Sequence, residues 1–277
     1  MTSVPALPVL RSVAGKKPSF LEEAADILAH SYLLFNLIHR DLTVRYKRSV
    51  LGFFWTLLNP FLMMLILVAV FSNVFRFALS HYETYFLSEY LPWIFFSQTT
   101  VGSMLSLAWN GQLMKKVRIP KAIFALATTL ANMINMGLSC GPLILIMLAV
   151  GVPVRPAMLF LPVSFLILGV FVLGVSLALS SLSVYFDDVA QMYQVAVTGL
   201  MYLTPIMYPL EIIPKRLLWL IKYNPLTTLF ELIRAPIYLG TLPSLRLVGI
   251  SILLAVGALS VGWLIFRRLS AGFYVRI

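Results

Sequence analysis

IHRDLTVRYKRSVLGFFWTLLNPFLMMLILVAVFSNVF, residues 38–75, joins a basic amphipathic segment to a long stretch without a charged residue. At 100° per residue, Phe35, Ile38, Leu42 and Tyr46 fall within about 40° of one helical meridian, with Arg40 and Lys47 nearly opposite and Arg48 close by. That pattern predicts a helix lying in a headgroup layer. The uncharged half, 49–75, is long enough to cross the hydrocarbon. A chain that lies along one face of a bilayer and then enters it is expected to work at that face.

Further uncharged runs occupy 90–114, 122–154, 156–186, 189–210 and 247–266. Each can hold the ~20 apolar residues of a spanning helix. The composition agrees: 60% hydrophobic and 11% charged residues exclude an ordinary soluble domain, in which charged residues make up roughly 25%. The spacing predicts spans near 52–75, 91–111, 122–150, 157–182, 190–208 and 246–266 in an all-α integral membrane fold. Residues 1–19 lack a continuous apolar core and read as a disordered cytoplasmic lead rather than a signal peptide. Residues 20–48 form the cytoplasmic and interfacial helical region, and 49–277 form the transmembrane domain.

The net charge is +11, and its placement orients the chain. With six spans and both termini inside, 14 of the 21 Lys and Arg residues are cytoplasmic and 7 are external. This follows the positive-inside rule. The cations sit at membrane boundaries, so the anionic inner leaflet is the expected partner and nucleic acid is not. Cys140 is the one cysteine and lies within an apolar run, which points to a buried inert thiol and leaves no disulfide framework.

Residues 209–245 break the pattern with Pro209, Pro214, Pro225, Pro236 and Pro243 among six charged residues between Glu211 and Arg234. Their apolar patches, 217–221 and 225–230, are too short to span, so a re-entrant or interfacial helical hairpin on the outer face is predicted before the last span. Asp188 and Gln191 fit a capping box opening the fifth span.

Polar residues recur at helical spacing inside the spans: Thr99, Ser103, Ser106 and Asn110; Thr128, Asn132, Asn135 and Ser139; Ser176, Ser180 and Ser183; Gln194, Thr198, Tyr202 and Pro205. Such stripes face either a helix partner or a wet path, because lipid cannot satisfy them. No ionisable residue stands at mid-depth, so hydroxyls, amides and aromatics point to a neutral, hydroxyl-rich solute rather than an ion. Gly137 and Gly141 form a GxxxG pair, read as helix packing. Aromatic groups gather at Phe53, Phe54 and Trp55, at Tyr82–Phe96 and at Tyr202 and Tyr208. These are an interfacial belt or the lining of a path for sugar rings. No phosphate-binding loop, metal motif or nucleophile elbow occurs, so the energy for any pumping must come from a second polypeptide. The short basic segment 112–121 is the candidate docking surface for it.

RDLTVRYKRSVLGFFWTLLNPFLMMLILVAVFSNVF (40–75), LPWIFFSQTTVGSMLSLAWNGQLMKKVRIPKAIFAL (91–126) and MYLTPIMYPLEIIPKRLLWLIKYNPLTTLFELIRAPIYLG (201–240) resemble, in order, ABC-2-type permeases that export lipid-linked O-antigen, capsule and teichoic-acid polysaccharides. The resemblance implies a six-span half-transporter of the bacterial cytoplasmic membrane that pairs with a second copy of itself and with two ATPase subunits. ATP and Mg would be bound by those subunits, with no cofactor in this chain and a polyprenyl-linked glycan as substrate. It also implies a cytoplasmic gate helix with Arg40, Arg45, Lys47 and Arg48, and an ATPase coupling loop with Lys115, Lys116, Arg118 and Lys121. The first and fifth spans would line the channel, making Phe54, Trp55, Asn59, Gln194, Thr198 and Tyr202 its candidates. Tyr208, Glu211, Glu231 and Arg234 would stand at the exit. Family members often carry Arg-Asp where this chain has Asp187-Asp188, which weakens any charge-pair role there. The alternatives are an exporter of a smaller amphiphile and an intramembrane enzyme, and no acid or His inside a span serves the latter.

Overall fold

The computed structural model describes residues 20–46, 52, 54–74, 81–116, 119–186 and 188–273. Among these the chain is helical, with no strand. The helices are α1 (Phe20–Ala29), α2 (Ser31–Tyr46), α3 (Phe54–Val74), α4 (Tyr82–Trp109), α5 (Gly111–Lys116), α6 (Ala122–Ala149), α7 (Leu161–Tyr185), α8 (Asp188–Leu203), α9 (Leu218–Lys222), α10 (Pro225–Arg234) and α11 (Leu245–Leu269). Among the described residues, three segments are long and apolar enough to cross a membrane: Ala122–Ala149, Pro156–Tyr185 and Leu245–Leu269. The lead 1–19, Lys47, Arg48, Arg118 and Asp187 lie outside the described residues, as do the side chains of Arg45, Asn59, Lys115 and Lys116.

The helix ends follow local chemistry. Asn224 caps α10 by accepting from the Leu226 N–H at 3.0 Å, with Pro225 at the first helical position, where no N–H is needed. Ser244 caps α11 through the Leu247 N–H at 3.2 Å, and Arg267 and Arg268 close its last turn against the helix dipole. Between these helices a π-turn, Ala235–Leu239, ends at Gly240 with φ +67°. The Arg155 side chain packs over Gly240 and donates to the Leu239 carbonyl at 3.0 Å.

The α7–α11 pair shares the largest interface, and α4 packs on both α6 and α7. Where α7 crosses α11, a Cβ on Gly262 would stand 1.9 Å from the Gly174 carbonyl oxygen, and one on Gly174 would stand 2.4 Å from the Ala258 carbonyl carbon. Backbone meets backbone there, which only glycine permits. The predicted GxxxG contact is not where the helices meet. Gly137 and Gly141 face open space, because α6 turns its Asn132, Asn135, Met136 and Ser139 side inward instead. Cys140 is half-buried rather than buried, its Sγ directed at the Met136 carbonyl.

Two apolar clusters fill the ends of this block. One joins Tyr85, Phe86, Trp93, Leu168, Phe230 and Ile233 at the α10 end. The other joins Leu37, Leu107, Phe124, Phe266 and Phe273 at the α1 end. In α2 the buried face is Leu33, Leu34, Leu37 and Ile38, set against α6, while Phe35 is 67% exposed and Leu37 only 4%. The expected meridian is thus displaced. Apolar residues at six of the ten positions 33–42 offer two overlapping stripes, and tertiary packing selects the other one.

Two expected spans have different limits. α4 starts at Tyr82, not 91, because its first turns are covered by protein and its polar Thr84, Ser88 and Glu89 never meet lipid. α8 stops at Leu203, not 208, since Pro205 lacks the N–H to continue it. Asp188 lies in the first described turn of α8, and the residue before it is outside the described residues.

Replacing Gly262 by Val should cost about 3 kcal/mol or more through backbone overlap with α7. Gly137→Ala and Gly141→Ala should stay within about 1 kcal/mol of the parent, on the stabilising side. Thermal unfolding in detergent checks both.

Candidate functional site

When the chain leaves α8 at Thr204 its carbonyls lose their helical donors, and a buried carbonyl must find others. Side chains from two helices supply them. Tyr82 Oη donates to the Met207 carbonyl at 2.9 Å and Tyr85 Oη to that of Tyr208 at 3.0 Å, both from α4. From α10, Arg234 Nη2 donates to the Pro205 carbonyl at 2.8 Å, and Asn224 Nδ2, at its cap, to Thr204 Oγ1 at 3.0 Å. Arg234 also pairs with Glu89, whose carboxylate is 1% exposed, and its guanidinium lies 4.1 Å from the centre of the Tyr85 ring. Tyr238 meets that same ring edge-on at 5.3 Å. The result is a clasp in which one buried ion pair ties α4 to α10, while both hold the C-terminal end of α8.

At the opposite end the basic segment is anchored on both sides. Arg40 of α2 donates to Asn110 Oδ1 at 2.8 Å, at the corner between α4 and α5, and pairs with Asp41 at 2.9 Å. Asn110 in turn donates to the Ser106 carbonyl at 2.7 Å. Lys121, at the start of α6, donates to the Ser270 carbonyl and lies 5.1 Å from the centre of the Phe273 ring. Burial lowers its pKa, opposed by Glu23 of α1. Glu23 is pushed up from 4.5 to about 7 by burial first and by Asp26 second, against the Ala122 N–H, Lys121 and Arg267.

The channel candidates fall into two groups. Phe54 and Trp55 on α3, and Gln194, Thr198 and Tyr202 on α8, are exposed, Tyr202 at 61%. Thr198 bonds only within its own helix, to the Gln194 carbonyl, among the contacts described. Val197 is the one buried residue of Asp188–Leu203, and Tyr193 Oη ties α8 to α4 through Thr100 Oγ1 at 2.9 Å. The stripes on α4 and α6 behave oppositely. Thr99, Ser103, Ser106, Asn110, Thr128, Asn132, Asn135 and Ser139 are all buried inside the block. Glu211 and Glu231 are exposed, Tyr208 is half-buried, and Arg234 is drawn into the clasp. Glu89 and Asn224 are clasp residues that the sequence reading does not single out, and Tyr82 and Tyr85 figure there only in an aromatic group. The available signal was Glu89, a lone acid bordering an apolar run on the side where Arg234 is expected.

Arg234→Met leaves Glu89 buried without its partner and should cost about 3–5 kcal/mol in thermal unfolding, with Glu89→Gln in the same chain recovering much of it. At the α1 end, docked Glu23 retains a proton that undocked Glu23 releases above pH 4.5. Docking of α1 is therefore strongest below that pH, weakens as pH rises to about 7, and is constant above. Hydrogen exchange of residues 20–29 should show this dependence, and Glu23→Gln should remove it.

Residues 32–238 match the family model described as ABC-2 type transporter. A Myxococcus xanthus protein named O-antigen export system permease protein RfbA is 31% identical over 85% of this chain and 93% of its own length. Two Klebsiella pneumoniae proteins of the same name are 30% identical, over 87% of this chain and 93% of the relative, and 29% identical, over 71% and 76%. With the match running from the start of α2 to the π-turn after α10, the chain belongs to the ABC-2 type transporter family.

Proposed function

We propose that this chain is the permease subunit of an ATP-driven exporter that moves lipid-linked polysaccharide across the bacterial cytoplasmic membrane. The observation that carries the reading is the similarity to three O-antigen export permeases over most of the chain. The α8 flank supports it: Gln194, Thr198 and Tyr202 offer amide, hydroxyl and ring to a neutral sugar, on a surface that the other described residues leave uncovered. Six spans are formed by α3, α4, α6, α7 with its preceding turn, α8 and α11, with both termini cytoplasmic. α4 carries Glu83 and Glu89 in its outer turns, and α8 is short because its path is completed by the clasped residues after Leu203. α2 is the interfacial gate helix, and α9 and α10 are the hairpin over the exit.

The exposed flanks of α3 and α8 face a second copy of the chain across a central conduit. Two ATPase subunits bind ATP and Mg and dock on the segment containing Lys115, Lys116, Arg118 and Lys121. This chain supplies the path and the movement, not hydrolysis.

Depletion of the chain should accumulate lipid-linked glycan on the inner leaflet. Normal surface glycan after depletion would instead favour a smaller amphiphile as cargo. Reversing Lys115, Lys116 and Arg118 to Glu should weaken ATPase association by about tenfold without affecting insertion, read by co-purification. Tyr202→Ala with Tyr208→Ala should slow export while leaving assembly intact. The main-chain carbonyl of Tyr208 remains available to Tyr85.

A further inference from the structure

Ser270–Phe273, which follow α11, are built into the α1 end. Phe273 is 1% exposed and meets Phe266 edge-on, with ring centres 5.8 Å apart. Tyr185, at the end of α7, donates its hydroxyl to the Leu269 carbonyl at 2.8 Å. Gly272 fits against the same hydroxyl so closely that a Cβ would stand 2.2 Å from it. On the other side the Lys121 ammonium engages the Ser270 carbonyl and the face of Phe273. A half-buried ammonium gains from both, since each replaces lost water. Glu23 of α1 faces this junction as well, with Arg267 nearby. Thus α6, α7 and the tail interlock around the last cation of the basic segment.

We propose that Ser270–Phe273 is a positioning clamp that fixes the α6 end of the 115–121 segment, so that a push on that segment is passed to α6 and α7. The inference rests on the reading of 115–121 as the ATPase contact. A loosely tethered loop would absorb such a displacement, whereas close-packed contacts transmit it. Phe273 and the Ser270 carbonyl act through Lys121 and need touch neither ATP nor cargo; Tyr185 packs against Gly272, and its hydroxyl bond to Leu269 lies outside the clamp.

The test uses the complete complex with its ATPase subunit in proteoliposomes, measuring ATP hydrolysed and lipid-linked glycan exported. Gly272→Ala forces a methyl group against the Tyr185 hydroxyl. Adding Tyr185→Phe leaves the nearest ring carbon at 3.3 Å, a contact that small shifts relieve. Gly272→Ala should keep hydrolysis within about twofold but export about tenfold less glycan per ATP, and the double variant should recover to within about twofold of the parent. A parental export-to-ATP ratio in Gly272→Ala, or a double variant as impaired as the single one, overturns the clamp. If Gly272→Ala fails to assemble, Phe273→Leu decides by the same ratio: it keeps an apolar side chain and removes the ring under Lys121. An unchanged ratio there overturns the clamp too. A parental complex that binds its ATPase yet shows no ATP-dependent export overturns the functional reading itself, and the clamp with it.

Discussion

The contact between the backbones of α7 and α11 at Gly174 and Gly262 sets the frame for everything else. In a bilayer no hydrophobic force drives two apolar helices together, so close approach and the dispersion contacts it permits must do so. With α7 fixed against α11, α4 and α6 pack on the remaining faces of α7, and their polar stripes are buried inside the block, where Asn110, Thr128 and Ser139 bond to carbonyls of their own helices. α3 and α8 are left at the margin, with Phe54, Trp55, Gln194 and Tyr202 facing outward. A transporter needs this division between a part that holds its shape and a part that can be displaced.

The marginal helix α8 is nevertheless not free at its C-terminal end. Its departing carbonyls are held by Tyr82 and Tyr85 from α4 and by Arg234 from α10, and Arg234 is itself held by Glu89. Burying that ion pair is costly unless both partners remain in register, so the pair is better suited to specifying one arrangement than to adding stability. Displacing the C-terminal end of α8 therefore means displacing α10 with it. At the other end Arg40 binds α2 to the α4–α5 corner, and Lys121 binds the basic segment to the tail of α11. Each end of the block thus carries its own set of contacts between helices.

The existence and order of the long helices were legible in the sequence because each coincides with an uncharged run, and the broken helices after Pro209 because prolines and charges interrupt it. The polar stripes were legible as stripes, but not their destinations. Thr99 and Ser103 turn inward while Gln194 and Thr198 turn outward, and periodicity alone does not distinguish a packed seam from a wet flank. The start of α4 was misread because Glu89 was treated as a boundary, when a partner far along the chain makes it an interior residue. Gly174 and Gly262 form no GxxxG pair on either helix, and their pairing exists only across the crossing, whereas the visible pair Gly137 and Gly141 meets nothing among the described residues.

The most direct measurement is ATP-dependent translocation of a polyprenyl-diphosphate-linked glycan in proteoliposomes containing this chain, with and without its ATPase subunit. The account predicts transport only when both polypeptides and ATP are present, with no nucleotide turnover by the chain alone. Hydrolysis by the purified chain alone, or equal translocation without the ATPase, would contradict it.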